Sequence, residues 1–130
     1  MNIVIDTNVI VSAILSTKGS PYRILNLLGN DETVNLYYCA AILAEYKRVL
    51  AYERLNISVE TQVEILSTIT KFGVLIEPTA GDIPMTDETD RIFYDTAKTA
   101  KAILITGNLK HYPVEPFIML PADFIKGMDL

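Results

Sequence analysis

Residues 2–15, NIVIDTNVIVSAIL, change their period partway along. Asn2-Ile3-Val4-Ile5 reads as a short buried strand. Asp6-Thr7-Asn8 interrupts it with three polar side chains, and the apolar pattern then resumes at helical spacing through Ile10, Val11, Ile14 and Leu15. A strand that hands over directly to a helix constrains the fold more than any other feature of this chain. It also places an ionisable acid where a buried strand stops, and an acid in that position requires a partner or a ligand.

The alternation continues to the end of the sequence. Residues 7–15 read as a helix. STKGS (16–20) reads as a loop, and Pro21 suits the first turn of a second helix running to about Leu28. VNLYYC (34–39) is a second strand, and residues 41–54 form a helix with Ile42, Tyr46, Val49 and Leu50 on one side. Ser58 caps a helix over 59–72 whose Val59, Val63, Leu66 and Ile69 face the core, and Gly73 ends it. VLIEP is a third strand, followed by a loop and a helix over 90–101. AILIT (102–106) and FIML (117–120) are strands four and five, and a helix beginning at Pro121 closes the chain. Strands alternating with helices predict a single α/β domain over residues 1–130, with a parallel sheet covered on both faces as an α/β/α sandwich. Continuous apolar strands such as NIVI and AILIT agree with burial on both faces.

Composition narrows the classes. Half of the 130 residues are hydrophobic, enough for a sizeable core. No apolar run approaches the ~20 residues needed to span a bilayer, and Met1 directly before the first strand predicts no targeting peptide. The single cysteine, Cys39, excludes an internal disulfide framework and fits a reducing, cytoplasmic setting. The formal charge of −5 is the reverse of the basic field usual in nucleic-acid binders. Either nucleic acid is not the partner, or the excess acid serves a local purpose such as holding a divalent cation.

In open α/β sheets, ligands bind beyond the carboxyl ends of the strands. Asp6 follows strand one, Glu45 lies early in the helix after strand two, Asp87 and Asp90 open the helix after strand three, and Asn108 follows strand four. Carboxylates gathered in this way repel one another unless a cation fills the site or some of them protonate. An all-oxygen set suits Mg²⁺ or Mn²⁺, whereas one histidine and one cysteine at no ligand-like spacing argue against zinc. Each residue also has a plainer explanation. Asp6, Asp87 and Asp90 are suited to helix starts, Glu45 to a solvated helix rim, and Asn108 after Gly107 to a turn.

Four stretches, IVIDTNVIVSAIL, AAILAEYKRVL, TDETDRIFYDTA and AILITGNLKHYP, resemble the motifs of PIN domains of the kind found as toxin components of bacterial and archaeal toxin–antitoxin pairs. LPADFIKGM resembles the tail that closes such domains, so the likeness spans nearly the whole chain. The resemblance implies a five-stranded parallel sheet in the order 3-2-1-4-5. It also implies a Mg²⁺- or Mn²⁺-dependent ribonuclease giving 5′-phosphate and 3′-hydroxyl products. Asp6, Glu45 and Asp90 correspond to the catalytic, metal-holding acids. A fourth acid of the family falls at Asn108, which is neutral and suited to holding a metal-bound water. Asp87 matches an assisting acidic position, and Asn8 and Ser12 match polar positions that orient the first aspartate or a water. RNA, a cognate antitoxin and a second copy of the chain are the implied partners, with Tyr22, Leu25 and Leu28 available to a dimer contact. Lys110 and His111 are candidates for phosphate contact, as are Lys47, Arg48, Arg54, Lys98 and Lys101.

Three other readings are weaker. A haloacid-dehalogenase-type phosphatase requires a second aspartate two residues after the first, and Asn8 stands there. A nucleotide-binding signalling domain calls for a glycine-rich loop after strand one, which DTNVIVS lacks. A catalytically weak PIN-fold module that binds RNA or a partner has Asn108 in its favour and the intact Asp6, Glu45 and Asp90 against it.

Overall fold

The computed structural model describes residues 1–128. The five strands are β1 (Asn2–Ile5), β2 (Asn35–Tyr38), β3 (Val74–Leu75), β4 (Ile103–Ile105) and β5 (Ile118–Met119). All pair in parallel, in the order β3-β2-β1-β4-β5. The central strand is the most apolar: Ile3, Val4 and Ile5 are fully buried, with Ile3 beside Leu36 on one edge and Ile103 on the other. The first motif therefore ends in the middle of the sheet edge, with crossovers departing to both sides.

The helices are α1 (Thr7–Leu15), α2 (Ser20–Leu27), α3 (Ala40–Leu50), α4 (Val59–Phe72), α5 (Arg91–Ala100) and α6 (Pro121–Met128). Helices α1, α2 and α6 pack together, as do α3, α4 and α5, with α5 lying against β1, β2 and β4. Phe93 through Ala97 of α5 are all buried, which makes it the core helix of its layer. In α3, Ile42, Tyr46 and Leu50 recur every four residues and are fully buried.

Several boundaries differ from the sequence expectation. Helix α3 stops at Leu50 rather than residue 54; the chain then makes a separate 3-10 turn over Glu53–Leu55, closed by Asn56 in the left-handed region. Ser58 caps α4 as expected, its Oγ accepting from the Thr61 N–H at 3.1 Å. Of the four residues expected to face the core from α4, however, only Ile69 is buried. Val59 and Val63 are 73% and 57% exposed. Helix α4 seats against α3 and strand β2, next to the sheet edge, and Val59 and Val63 of its first turns stay exposed. Strand β3 is a two-residue edge rather than the whole of VLIEP. The Ile76 N–H still reaches the Tyr38 carbonyl at 2.9 Å, and Pro78 then has no N–H to extend the ladder. A 3-10 turn over Glu88–Asp90 precedes α5, so the regular helix runs over Arg91–Ala100 rather than the 90–101 expected. Strand β5 covers only the middle of FIML.

Candidate metal and phosphodiester site

Asp6 joins β1 to α1. Its N–H continues the sheet by donating to the Ile105 carbonyl at 2.9 Å, and its own carbonyl accepts from the Val9 N–H at 3.0 Å. It therefore occupies the N-cap position of α1, but its side chain makes no capping bond. Instead Oδ2 accepts from the Thr106 hydroxyl at 2.9 Å and from the Tyr112 hydroxyl at 2.8 Å. Asp6 is only 6% exposed. Burial, and next the Asp6 charge, push the Tyr112 phenol far up, so it remains a protonated donor. Both hydroxyls are held on one oxygen, and Oδ1 accepts no hydrogen bond within the described residues.

Glu45 projects from the second turn of α3. Its Oε2 accepts a short hydrogen bond from the Thr7 hydroxyl, and Arg48 Nη2 lies 3.6 Å from Oε1. The next residue, Tyr46, donates to the Ile5 carbonyl from the core side of α3 and ties that helix to the end of β1. Consecutive residues thus perform two tasks: Tyr46 anchors the helix, and Glu45 meets Thr7 beside Asp6.

Asp90 sits where the 3-10 turn becomes α5. Its Oδ2 is buried without a hydrogen-bond partner, although His111 Nδ1 stands 3.3 Å away. Its carboxyl is raised to about 6, first by burial and then by the charge of Asp6, with Asp87 and Glu45 adding and His111 opposing. An unpaired buried carboxylate oxygen is costly in a protein interior. The surrounding acids increase that cost.

The other sequence-predicted residues divide by position. Asn108 follows β4, and its N–H donates to Thr106 Oγ1 at 3.1 Å, so Thr106 links Asn108 to Asp6. Asn8 uses its side-chain oxygen to accept from the Gly107 N–H at 3.0 Å and makes no bond to Asp6. Ser12 is exposed one turn further along α1. Asp87 is exposed and committed to local structure: its Oδ1 accepts from the N–H and hydroxyl of Thr89 at 2.9 and 2.7 Å. Those two bonds hold its carboxyl below the usual range. Lys110 and His111 lie exposed on a 3-10 turn, Leu109–His111, with only His111 reaching an acid. Among the described residues, no three carboxylate, imidazole or thiol groups form a ready-made ligand cage.

Three residues of this site escaped sequence reasoning: Thr7, Thr106 and Tyr112. A signal for Thr106 was present. In parallel neighbours, the residue just past the end of β4 lies beside the residue just past the end of β1, and those residues are Thr106 and Asp6. Tyr112 carried no such signal, because the turn over 109–111 that folds it back is irregular.

This arrangement gathers oxygen ligands at the carboxyl edge of a parallel sheet, the edge where α/β folds bind ligands. Comparison with known proteins bears on what family uses it. An uncharacterized protein of Methanocaldococcus jannaschii is 34% identical over 111 residues, which is 83% of this chain and 71% of that protein. The fold resembles a chain in the crystal structure of VapBC2 from Rickettsia felis bound to a DNA fragment from their promoter. The TM-score is 0.59 at 21% identity, covering 92% of this chain and 97% of that one. The sequence profile of the PIN domain matches residues 2–110, which include Asp6, Glu45, Asp90 and Asn108. The chain belongs to the PIN-domain family, whose members are generally nucleases.

Proposed function

We propose that this chain is a divalent-metal-dependent endoribonuclease, with Asp6, Glu45 and Asp90 as its catalytic acids and with Mg²⁺ or Mn²⁺ as its cofactor. The observation that carries the reading is the buried Asp90 Oδ2, which accepts no hydrogen bond, has His111 Nδ1 3.3 Å away and lies in the field of Asp6 and Glu45. A cation relieves that repulsion directly. The donor set, three carboxylates with Asn108 holding a metal-bound water, is all oxygen and fits a hydrated hard cation that takes few protein ligands and keeps its waters. Asp87 stands at the rim of the set, its Oδ1 engaged by Thr89.

When bound, the ion supplies Lewis acidity toward a phosphate oxygen and lowers the pKa of a water. The chain's own residues do the positioning. Thr106 and Tyr112 fix Asp6 through Oδ2 and leave Oδ1 available, and Thr7 fixes Glu45 through Oε2 while Arg48 Nη2 lies 3.6 Å from Oε1. Lys110 and His111 lie on the exposed turn beyond Asn108, within reach of a polyanion that approaches this edge. The reading yields 5′-phosphate and 3′-hydroxyl ends in a cytoplasmic setting. It also takes the chain as the toxin of a toxin–antitoxin pair working as a homo-oligomer. The antitoxin part rests on the motif resemblance, and the fold shared with the VapBC2 chain accords with it.

The test is cleavage of end-labelled single-stranded RNA by the purified protein in Mn²⁺, beside Asp6→Asn and Asp90→Asn variants whose folding is checked by circular dichroism. Metal-dependent cleavage that both variants lose is the expected result. Equal cleavage by parent and variants would remove these acids from the chemistry. A second reading, a catalytically weak module that binds RNA or a protein, is favoured by Asn108 in place of an acid and by the lack of a complete cage among the described residues. RNA binding without cleavage in any divalent metal would put it first.

A further inference from the structure

Next to Asp6, at the same edge of the sheet, lies an open cleft of about 330 Å³. Asn8 and Ser12 of α1 form one wall, Gly107 and Asn108 after β4 form another, and Pro21 and Pro121 close it at the starts of α2 and α6. The volume is at the low end of the ~300–1,000 Å³ usual for small-ligand clefts. We propose that this cleft is a nucleobase subsite, which seats an unstacked base of single-stranded RNA adjoining the phosphate held at Asp6. The assignment rests on the ribonuclease reading and names the part of the substrate that this cleft recognises.

Charge gives the first reason. The protein carries a net −5, and other grooves on its surface display that excess. The groove beside α5 contains Asp82 and Asp95 along with Lys98, the one near Phe72 contains Asp31 and Glu32, and the one beside Cys39 contains Glu77, whereas the one between α3 and α4 contains Lys47 and no carboxylate. The cleft at Asn8 contains no ionisable side chain. A polyanion meets no carboxylate on its walls.

Hydrogen-bonding capacity gives the second reason. Asn8 spends its side-chain oxygen on the Gly107 N–H, so that bond fixes the direction of its amide and leaves the NH₂ free to donate. The side chains of Asn108 and Ser12 make no hydrogen bond within the described residues. Two amides and a hydroxyl thus face one neutral cleft with donors and acceptors in hand. Splayed-out RNA bases are read by groups of this kind on their Watson–Crick and Hoogsteen edges. The two prolines offer flat apolar surface against which a base can lie.

Connection to the acids gives the third. Gly107 bonds Asn8, Asn108 bonds Thr106, and Thr106 bonds Asp6. The cleft wall and the acid site are built from one hydrogen-bonded turn, so a base seated in the cleft has its register set relative to Asp6.

The experiment is an NMR titration of ¹⁵N-labelled protein in Ca²⁺ with a short oligoribonucleotide, and with the same oligomer lacking bases. The side-chain NH₂ signals of Asn8 and Asn108 should shift with the first and stay in place with the second. The affinity ratio of the two oligomers should be at least ten-fold and should fall toward one in Ser12→Phe, which fills the cleft from its rim while its melting temperature confirms folding. Shifts around Lys110 and Asp90 without movement of Asn8 and Asn108 would overturn the base subsite and leave the ribonuclease reading standing. Equal shifts with both oligomers would also overturn it, reducing the cleft to a backbone contact. No binding of either oligomer would overturn the subsite together with the RNA reading it rests on.

Discussion

The Tyr112 hydroxyl donates to Asp6 Oδ2 at 2.8 Å across 106 residues of chain. The bond is buried at both ends, and with Thr106 it saturates one oxygen of an acid that would otherwise have to cap α1 or meet water. Hydrogen bonds to charged groups contribute roughly 1.5–3 kcal/mol. Tyr112→Phe should therefore destabilise the fold by about 1–2 kcal/mol in chemical denaturation. If Tyr112 positions Asp6, the same variant should also lose about ten-fold in kcat for RNA with little change in KM. A stability loss with unchanged kcat would make the hydroxyl purely structural.

Asp90 should give the protein a pH dependence with an unusual sign. Its folded-state carboxyl is raised to about 6 from an ordinary value near 3.8, so the folded chain binds this proton more tightly than the unfolded chain. Stability from this group is thus greatest below pH 4, declines as pH rises from about 4 to about 6, and stays lower above that. Asp90→Asn should match the parent near pH 4 and exceed it by about 1–3 kcal/mol at pH 7–8 in EDTA. Melting curves across that range check it. A variant less stable than the parent at pH 8 would contradict the assignment.

Divalent metal should reverse the Asp90 effect. A ligand that binds only the folded state raises the apparent melting temperature with the logarithm of its saturation. Millimolar Mn²⁺ should raise the parent's midpoint by several degrees at pH 7.5 and leave Asp6→Asn and Asp90→Asn nearly unmoved. EDTA should restore the parent's original midpoint.

Gly73 is tightly enclosed where α4 meets the edge strand. A β-carbon there would come within 2.4 Å of the Ile69 carbonyl oxygen and 2.8 Å of the Tyr38 ring. The first of these is backbone that caps the helix through the Gly73 N–H. Gly73→Ala should cost about 1–3 kcal/mol, as overpacking does, readable as a lower urea midpoint with unchanged slope.

Lys101 presents the opposite case. It ends α5 with φ of +52°, and the next N–H, of Ala102, returns to the Ala97 carbonyl at 2.9 Å. A left-handed conformation costs a side-chain-bearing residue roughly 1–2 kcal/mol, against roughly 0.5–1 kcal/mol of added chain entropy for glycine. Lys101→Gly should be neutral to about 1 kcal/mol stabilising, measured by thermal unfolding.

The sequence reading and the structure agree where one local rule decided the outcome. NIVI and AILIT became the central pair of the sheet because continuous apolar runs need burial on both faces. The resemblance supplied the order 3-2-1-4-5 that the sheet has. The reading went astray where tertiary contact decided. Val59 and Val63 have helical spacing, yet both stay exposed while Ile69, nearer the sheet, is buried. The site divides in the same way. Asp6, Glu45, Asp90 and Asn108 were visible as polar residues at strand ends. Their holders Thr7 and Tyr112 were not, because each acts across a long separation through a hydroxyl that is unremarkable in its own neighbourhood.

Those separations also order events in time. Thr106 and Tyr112 are made 100 and 106 positions after Asp6. A ribosome delivers roughly 5–20 residues per second. A growing chain therefore carries Asp6 for seconds before the hydroxyls that fix it exist. Truncated products ending before residue 106 hold Asp6 without its two hydroxyl donors. For a protein read as a nuclease acting on RNA, assembly of the site waits until synthesis has passed residue 112.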